Sequence, residues 1–173
     1  MQAIRIYQGD ITQATTDAIV NAANPSLTGG GGVDGAIHRA AGPGLLEACL
    51  QIEPVAGERC PVGEARVTTA GQLPCRYVIH TVGPRYAIDP QPQRLLAKAW
   101  YHSLQLALAN QCTSVTFPAI SCGVYGYPPE EAARVALAVC RQTGFAGIDI
   151  DICLFSDEMT EVWQRIAQQP VPG

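Results

Sequence analysis

Residues 18–37 read Ala18-Ile19-Val20-Asn21-Ala22-Ala23-Asn24-Pro25-Ser26-Leu27-Thr28-Gly29-Gly30-Gly31-Gly32-Val33-Asp34-Gly35-Ala36-Ile37. Ala18-Ile19-Val20 is a short apolar run, read as a buried strand. Val33 to Ala41 reads as the opening of a helix. Between them stand four consecutive glycines, whose entropic cost goes with a close approach to the backbone. Strand, glycine loop and helix together hold phosphate well, because loop N–H groups and the helix N-terminus both attract anions. No Lys-Ser/Thr follows the glycines as a P-loop requires, and no dinucleotide-type βαβ pattern closes around them. Two polar residues, Asn24 and Asp34, bracket the glycines and mark where the chemistry is expected.

Outward from this stretch the elements alternate. Strands are expected at Gln2 to Gln8, Asp17 to Asn21, Glu64 to Thr69, Arg76 to Val82, Ser114 to Ala119 and Ile148 to Phe155. Tyr77-Val78-Ile79-His80-Thr81-Val82 is nearly all apolar or β-prone, as in a strand covered on both faces. Helices are expected at Val33 to Ala41, Leu45 to Ile52, Gln93 to Asn110, Pro129 to Gln142 or Thr143, and Asp157 to Gln168. Leu95, Leu96, Ala99, Trp100, Leu104, Ala107 and Leu108 form a helical stripe. Pro129-Glu130-Glu131 suits a helix start, and Ser156 or Asp157 suits a cap. The alternation predicts one α/β domain over 1–173 with a mostly parallel central sheet. Ligands in such sheets bind off the carboxyl ends of strands. The loops 24–32 and 120–127 both follow strands and can converge on one cleft.

Composition narrows the function classes. The chain has 173 residues, is 47% hydrophobic and 15% charged, and carries a formal net charge of −4. That charge argues against non-specific nucleic-acid binding, but not against an anionic ligand held by backbone amides. No apolar run is long enough to span a membrane. The N-terminus enters strand-like sequence at once, and on that reading no signal peptide is expected. Cys49, Cys60, Cys75, Cys112, Cys122, Cys140 and Cys153 show no metal-ligand spacing. No metal and no cofactor is expected, and the thiols suit a reducing, cytoplasmic setting. Cys122, in a loop, is the one expected to be reactive.

Several motifs, in their order and spacing, carry a resemblance that runs nearly end to end. They are Gly9-Asp10-Ile11-Thr12, Asp17 to Asn24, Gly29 to Gly35, Gly63-Glu64-Ala65, Tyr77 to Pro84, Phe117 to Ser121 and Gly126-Tyr127-Pro128. On these the chain resembles the macrodomain family, and within it the MacroD-type ADP-ribosyl hydrolases. The resemblance implies a three-layer α/β/α sandwich with a mixed, mostly parallel sheet and a deep cleft for ADP-ribose. It also implies hydrolysis of mono-ADP-ribose esters on Asp/Glu side chains and of O-acetyl-ADP-ribose. ADP-ribosylated proteins or the acetyl ester would be the partners, with no membrane or nucleic acid, and the chain is expected to act as a monomer.

The same resemblance assigns residues, and each has a plainer alternative. Asp10 would accept from the adenine amino group, beside the Ile11 backbone; alone it reads as a turn or cap residue. Phe155 would stack on adenine; alone it reads as core. Gly29, Gly30, Gly31, Gly32 and Val33, with Ser121, Cys122, Gly123, Val124, Tyr125 and Gly126, would wrap the diphosphate and distal ribose. Asn24 would bond the distal ribose, and Asp34 would position or deprotonate water near the anomeric carbon. Their plainer readings are a left-handed turn residue and a first-turn acid. Tyr125 would close over the distal ribose, or be only a surface lid residue. His80 reads as a satisfied core residue, and His38 as a residue near the cleft or a packing group. Cys122 stands where many relatives carry a small polar residue, which suggests redox sensitivity. The functional expectation is an ester hydrolase; the alternative is a non-catalytic ADP-ribose reader.

Overall fold

A computed structural model describes residues 2–169. Six strands form one sheet: β1 (Ile4–Gln8), β2 (Ala18–Ala22), β3 (Ala65–Thr69), β4 (Tyr77–Thr81), β5 (Ser114–Phe117) and β6 (Asp149–Leu154). Their order is β1-β6-β5-β2-β4-β3. All pairings are parallel except that of β3 with β4. The short 70–76 connection explains the exception, since a parallel return needs a crossover of a dozen residues or more.

Five helices cover the sheet: α1 (Gly32–Ala41), α2 (Pro43–Leu50), α3 (Pro92–Ala109), α4 (Pro129–Cys140) and α5 (Asp157–Gln168). The alternation of strand side chains divides the interior into two layers. Ile19 and Val78 pack with Ile11, Ile37, Ala41 and Leu45 under α1 and α2. Ala18, Val20 and Ile79 face the larger core, where Leu96, Trp100, Leu104, Leu137 and Trp163 of α3, α4 and α5 meet Phe117. Trp100 stacks on Phe117 with ring centroids 4.0 Å apart. Six cysteines are buried as small hydrophobes, four in these layers and Cys49 and Cys60 in a smaller cluster with Ala23, Leu27 and Val82. This is the expected three-layer α/β/α arrangement with a mixed sheet.

Element ends differ from the sequence reading in instructive places. α2 begins at Pro43 rather than Leu45, because proline needs no N–H bond in a first helical turn. It ends at Leu50, before the expected Ile52. α4 stops at Cys140, where a tight turn at Thr143–Phe145 takes over. α5 starts as expected, with Ser156 accepting from the Met159 N–H at 3.2 Å. No helix among the described residues is long and apolar enough to cross a membrane.

Candidate functional site

The sheet order decides the site. β1, β6, β5 and β2 are successive parallel neighbours, so the chain leaves all four at one edge. Asp10 and Ile11 follow β1, Phe155 follows β6, residues 120–127 follow β5, and residues 23–33 follow β2. The sequence candidates therefore fall along a single line of loops.

At one end, Gly9 N–H donates to Leu154 O at 2.9 Å, which sets Asp10 beside Phe155. Phe155 is 83% exposed, so its reading as core is overturned; an aromatic face is open at the strand ends. Asp10 Oδ1 accepts from Thr12 N–H at 3.0 Å and Thr12 Oγ1 at 2.7 Å. The carboxylate thus caps the turn Ile11–Gln13, as the plain reading held, and leaves Oδ2 without a partner among the described residues.

At the other end stands the glycine loop. Gly31 caps α1, and the first helical bond runs from Gly35 N–H to Gly31 O at 3.2 Å. Among the described residues, the N–H groups of Gly30 through Asp34 donate to nothing. Unspent donors at a helix N-terminus form an anion site. Gly29 and Gly32 have φ of 93° and 58°, which glycine adopts without strain.

Asn24 braces this loop. Its Nδ2 donates to Gly29 O at 3.0 Å, while Oδ1 accepts from Ser26 Oγ at 2.8 Å and Leu27 N–H at 3.1 Å. The left-handed residue of the turn is Leu27, with φ 58°, not Asn24. One Asn24 N–H remains for a ligand. Asp34 is 5% exposed. Its Oδ1 accepts from Asn21 Nδ2 at 2.8 Å and lies 3.4 Å from His38 Nε2. Burial raises its pKa above the ordinary carboxylate value, opposed by the Asn21 hydrogen bond and the His38 charge. Oδ2 accepts from none of the described residues. It flanks Gly30 together with Asn24 Nδ2: a Cβ at Gly30 would meet them at 3.2 and 3.6 Å.

The second loop closes the line. Ser121 has φ 68° and is buried, Val124 is fully exposed, and Tyr125 is half-buried. Gly126 N–H returns to Gly123 O at 3.0 Å, and Tyr127 N–H to Ser121 O at 2.9 Å. The N–H groups of Gly123, Val124 and Tyr125 donate to nothing among the described residues. Burial raises the Tyr125 phenol, opposed by the Arg85 charge and helped by those of Asp34 and Asp89. Burial pushes the Cys122 thiol up to about 12. It is protonated at neutral pH, which corrects the expectation of a reactive cysteine, since the thiolate is the nucleophile.

Sequence reasoning missed two residues. Gly83 follows β4, and a Cβ there would sit 2.1 Å from Ser121 Oγ and 2.6 Å from Ile120 Cγ2; only glycine lets the second loop lie so close. Asn21 was read as a strand end, yet its amide holds Asp34. His38 lies beside Asp34, so of its two readings the one near the glycine loop fits its place. A groove of about 910 Å³ between α3 and α4, lined by Gln91, Arg94, Glu131 and Arg134, shares only Tyr127 with the loop region 120–127 and contains none of the candidate residues. Among the described residues, no group of three or more His, Cys, Asp or Glu is placed to hold a metal ion.

The Macro domain family pattern matches residues 20–136, from the buried strand through most of α4. The chain belongs to the macrodomain family. A macro domain-containing protein of Vibrio parahaemolyticus is 59% identical over 169 residues, covering 98% of this chain and 99% of its own. The O-acetyl-ADP-ribose deacetylase of Citrobacter rodentium is 51% identical over 170 residues, with 96% of each chain covered. The macrodomain of Oceanobacillus iheyensis, solved with ADP, superposes with a TM-score of 0.88 at 45% identity, covering 93% of this chain and 87% of that one. That macrodomain has also been solved with an aspartate, and with an asparagine ten positions before it, replaced by alanine.

Proposed function

We propose that this macrodomain binds ADP-ribose along its strand-end cleft and hydrolyses ADP-ribosyl esters, as a MacroD-type enzyme. The observation that carries this reading is Asp34, a carboxylate of raised pKa with one oxygen held and the other free beside the glycine loop. Asn24 and Asp34 stand ten positions apart, the separation of the asparagine and aspartate replaced in the Oceanobacillus protein. The deacetylase of Citrobacter, half identical to this chain, supports an ester as substrate.

The parts assign themselves along the cleft. Adenine lies against Phe155, with Asp10 Oδ2 and the Ile11 N–H at its polar edge. The diphosphate sits between the free N–H groups of Gly30 to Val33 and those of Gly123 to Tyr125, where fixed amides stabilise negative charge without cationic side chains. The distal ribose meets Asn24, and Tyr125 closes over it. Water held at Asp34 Oδ2 attacks near the anomeric carbon and passes a proton to the carboxylate. The carbon–oxygen bond to the acyl group breaks, and a carboxylate leaves. Either protein Asp/Glu esters or O-acetyl-ADP-ribose fits this chemistry, and seven free thiols fit the cytoplasm.

The test uses a protein carrying glutamate-linked mono-ADP-ribose. The hydrolase reading predicts release of ADP-ribose by this chain, together with calorimetric binding of the free nucleotide. Binding without release would make the chain a reader and contradict the proposal.

A further inference from the structure

From Asp34 a hydrogen-bonded chain runs into the sheet, through residues that solvent does not touch. Asn21 and His80 are both 0% exposed and are register partners of β2 and β4. One Asn21 amide nitrogen serves two neighbours, Asp34 Oδ1 at 2.8 Å and His80 Nδ1 at 3.2 Å. The nitrogen has two hydrogens, so both contacts are satisfied if His80 Nδ1 is an acceptor. The ring proton then sits on Nε2, which lies 3.0 Å from Thr68 Oγ1 and 3.6 Å from Cys49 Sγ. The opposite amide orientation would turn an oxygen toward the Asp34 carboxylate. The observed one leaves Asn21 Oδ1 buried without a partner among the described residues, a cost tolerated in order to present both hydrogens.

From this geometry we propose that His80 is a positioning residue for the hydrolysis, acting through Asn21 to hold Asp34 in register. The proposal rests on the reading of Asp34 given above. His80 fixes which atoms of the Asn21 amide face inward. Asn21 in turn holds Oδ1 of Asp34, so that Oδ2 is the oxygen left for water beside Gly30. A second proton on His80 would set N–H against N–H and break the relay. Asn21 of β2, Thr68 of β3, Cys49 of α2 and the His38 ring of α1, its centroid 6.4 Å away, surround the imidazole. No carboxylate among the described residues bonds to it, and burial, with His38 adding, holds its pKa down to about 3. The relay is therefore neutral wherever the enzyme works. Asp34 gains a rigid anchor that does not titrate alongside it.

Two isosteric substitutions separate this role from plain core packing. An asparagine amide can place an oxygen where Nδ1 stands, whereas glutamine reaches only toward Nε2. With glutamate-linked ADP-ribose as substrate, His80→Gln is expected to lower kcat about 10- to 100-fold, the scale of a displaced reacting group. KM and calorimetric ADP-ribose affinity should stay at their wild-type values, and His80→Asn should recover most of the loss. Nitrogen NMR of the wild-type imidazole, which depends on no variant folding, should show a neutral ring protonated at Nε2. A ring protonated at Nδ1 overturns the proposal. So does wild-type kcat in His80→Gln, or an equal loss in both variants with weakened binding. Asp34→Ala is run alongside: undiminished turnover there would contradict the role of Asp34 itself, a result distinct from failure of the relay.

Discussion

A carboxylate held where its charge is disfavoured takes up a proton more readily, and Asp34 is such a group. Burial raises its pKa, which favours proton uptake and costs stability. A carboxyl group whose pKa is higher folded than unfolded binds protons more tightly in the native state. Its ionisation therefore weakens the fold as pH rises past the ordinary carboxylate range, and the penalty vanishes well below it. Asp34→Asn keeps an oxygen for the Asn21 amide and removes the penalty. Thermal unfolding across a pH series should show this variant melting above the wild type at neutral and alkaline pH, with the gap closing toward about pH 4. A variant that melts lower at every pH would mean the charge stabilises the fold. Asn24 and Asp34 were visible in the sequence because they bracket a glycine run. The Asn21–His80 contact was not: the two are 59 positions apart and meet only through the β2–β4 register, which one sequence does not state.

At the scale of elements, the site is built from the ends of four adjacent strands, and its precision depends on how closely their loops pack. Gly83 shows the dependence. A Cβ there would fall 2.1 Å from Ser121 Oγ, so Gly83→Ala should push the second loop outward. ADP-ribose affinity should fall by about 10-fold, one to two kcal/mol of strain and lost amide contacts, with secondary structure intact by circular dichroism. Unchanged calorimetric affinity would mean the second loop does not bind the diphosphate. The loops 24–32 and 120–127 were legible because glycines and breakers interrupt apolar runs. The need for Gly83 was hidden, since a glycine after a strand looks like any turn residue until its neighbour is placed. Helix ends misread at Pro43 and Cys140 have the same cause: propensity marks a break, while tertiary packing decides which side of it remains helical.

The molecule as a whole sets its line of strand-end loops on two apolar layers of unequal size. The larger is anchored by Trp100, fully buried, stacked on Phe117 and 6.0 Å from the Trp163 ring. Trp100→Ala should cost about 3–5 kcal/mol and lower Tm by about 10 °C in calorimetric unfolding. Trp100→Phe should cost much less, because the indole Nε1 it removes has no partner among the described residues. A loss under 1 kcal/mol for the alanine variant would mean the α3 layer is not the main core. This layering followed from the alternation of apolar strands and amphipathic helices, so the architecture was legible. The strand order was not, yet it is what brings the loops after β1, β6, β5 and β2 to one edge. Single-turnover release of ADP-ribose from a glutamate-linked substrate, wild type beside Asp34→Ala, with nucleotide binding measured on both, tests the central claim most directly. The account predicts equal binding and a release rate lower by about 10²–10⁴-fold in the variant. Equal binding with equal release would contradict it, and would remove Asp34 from the chemical step.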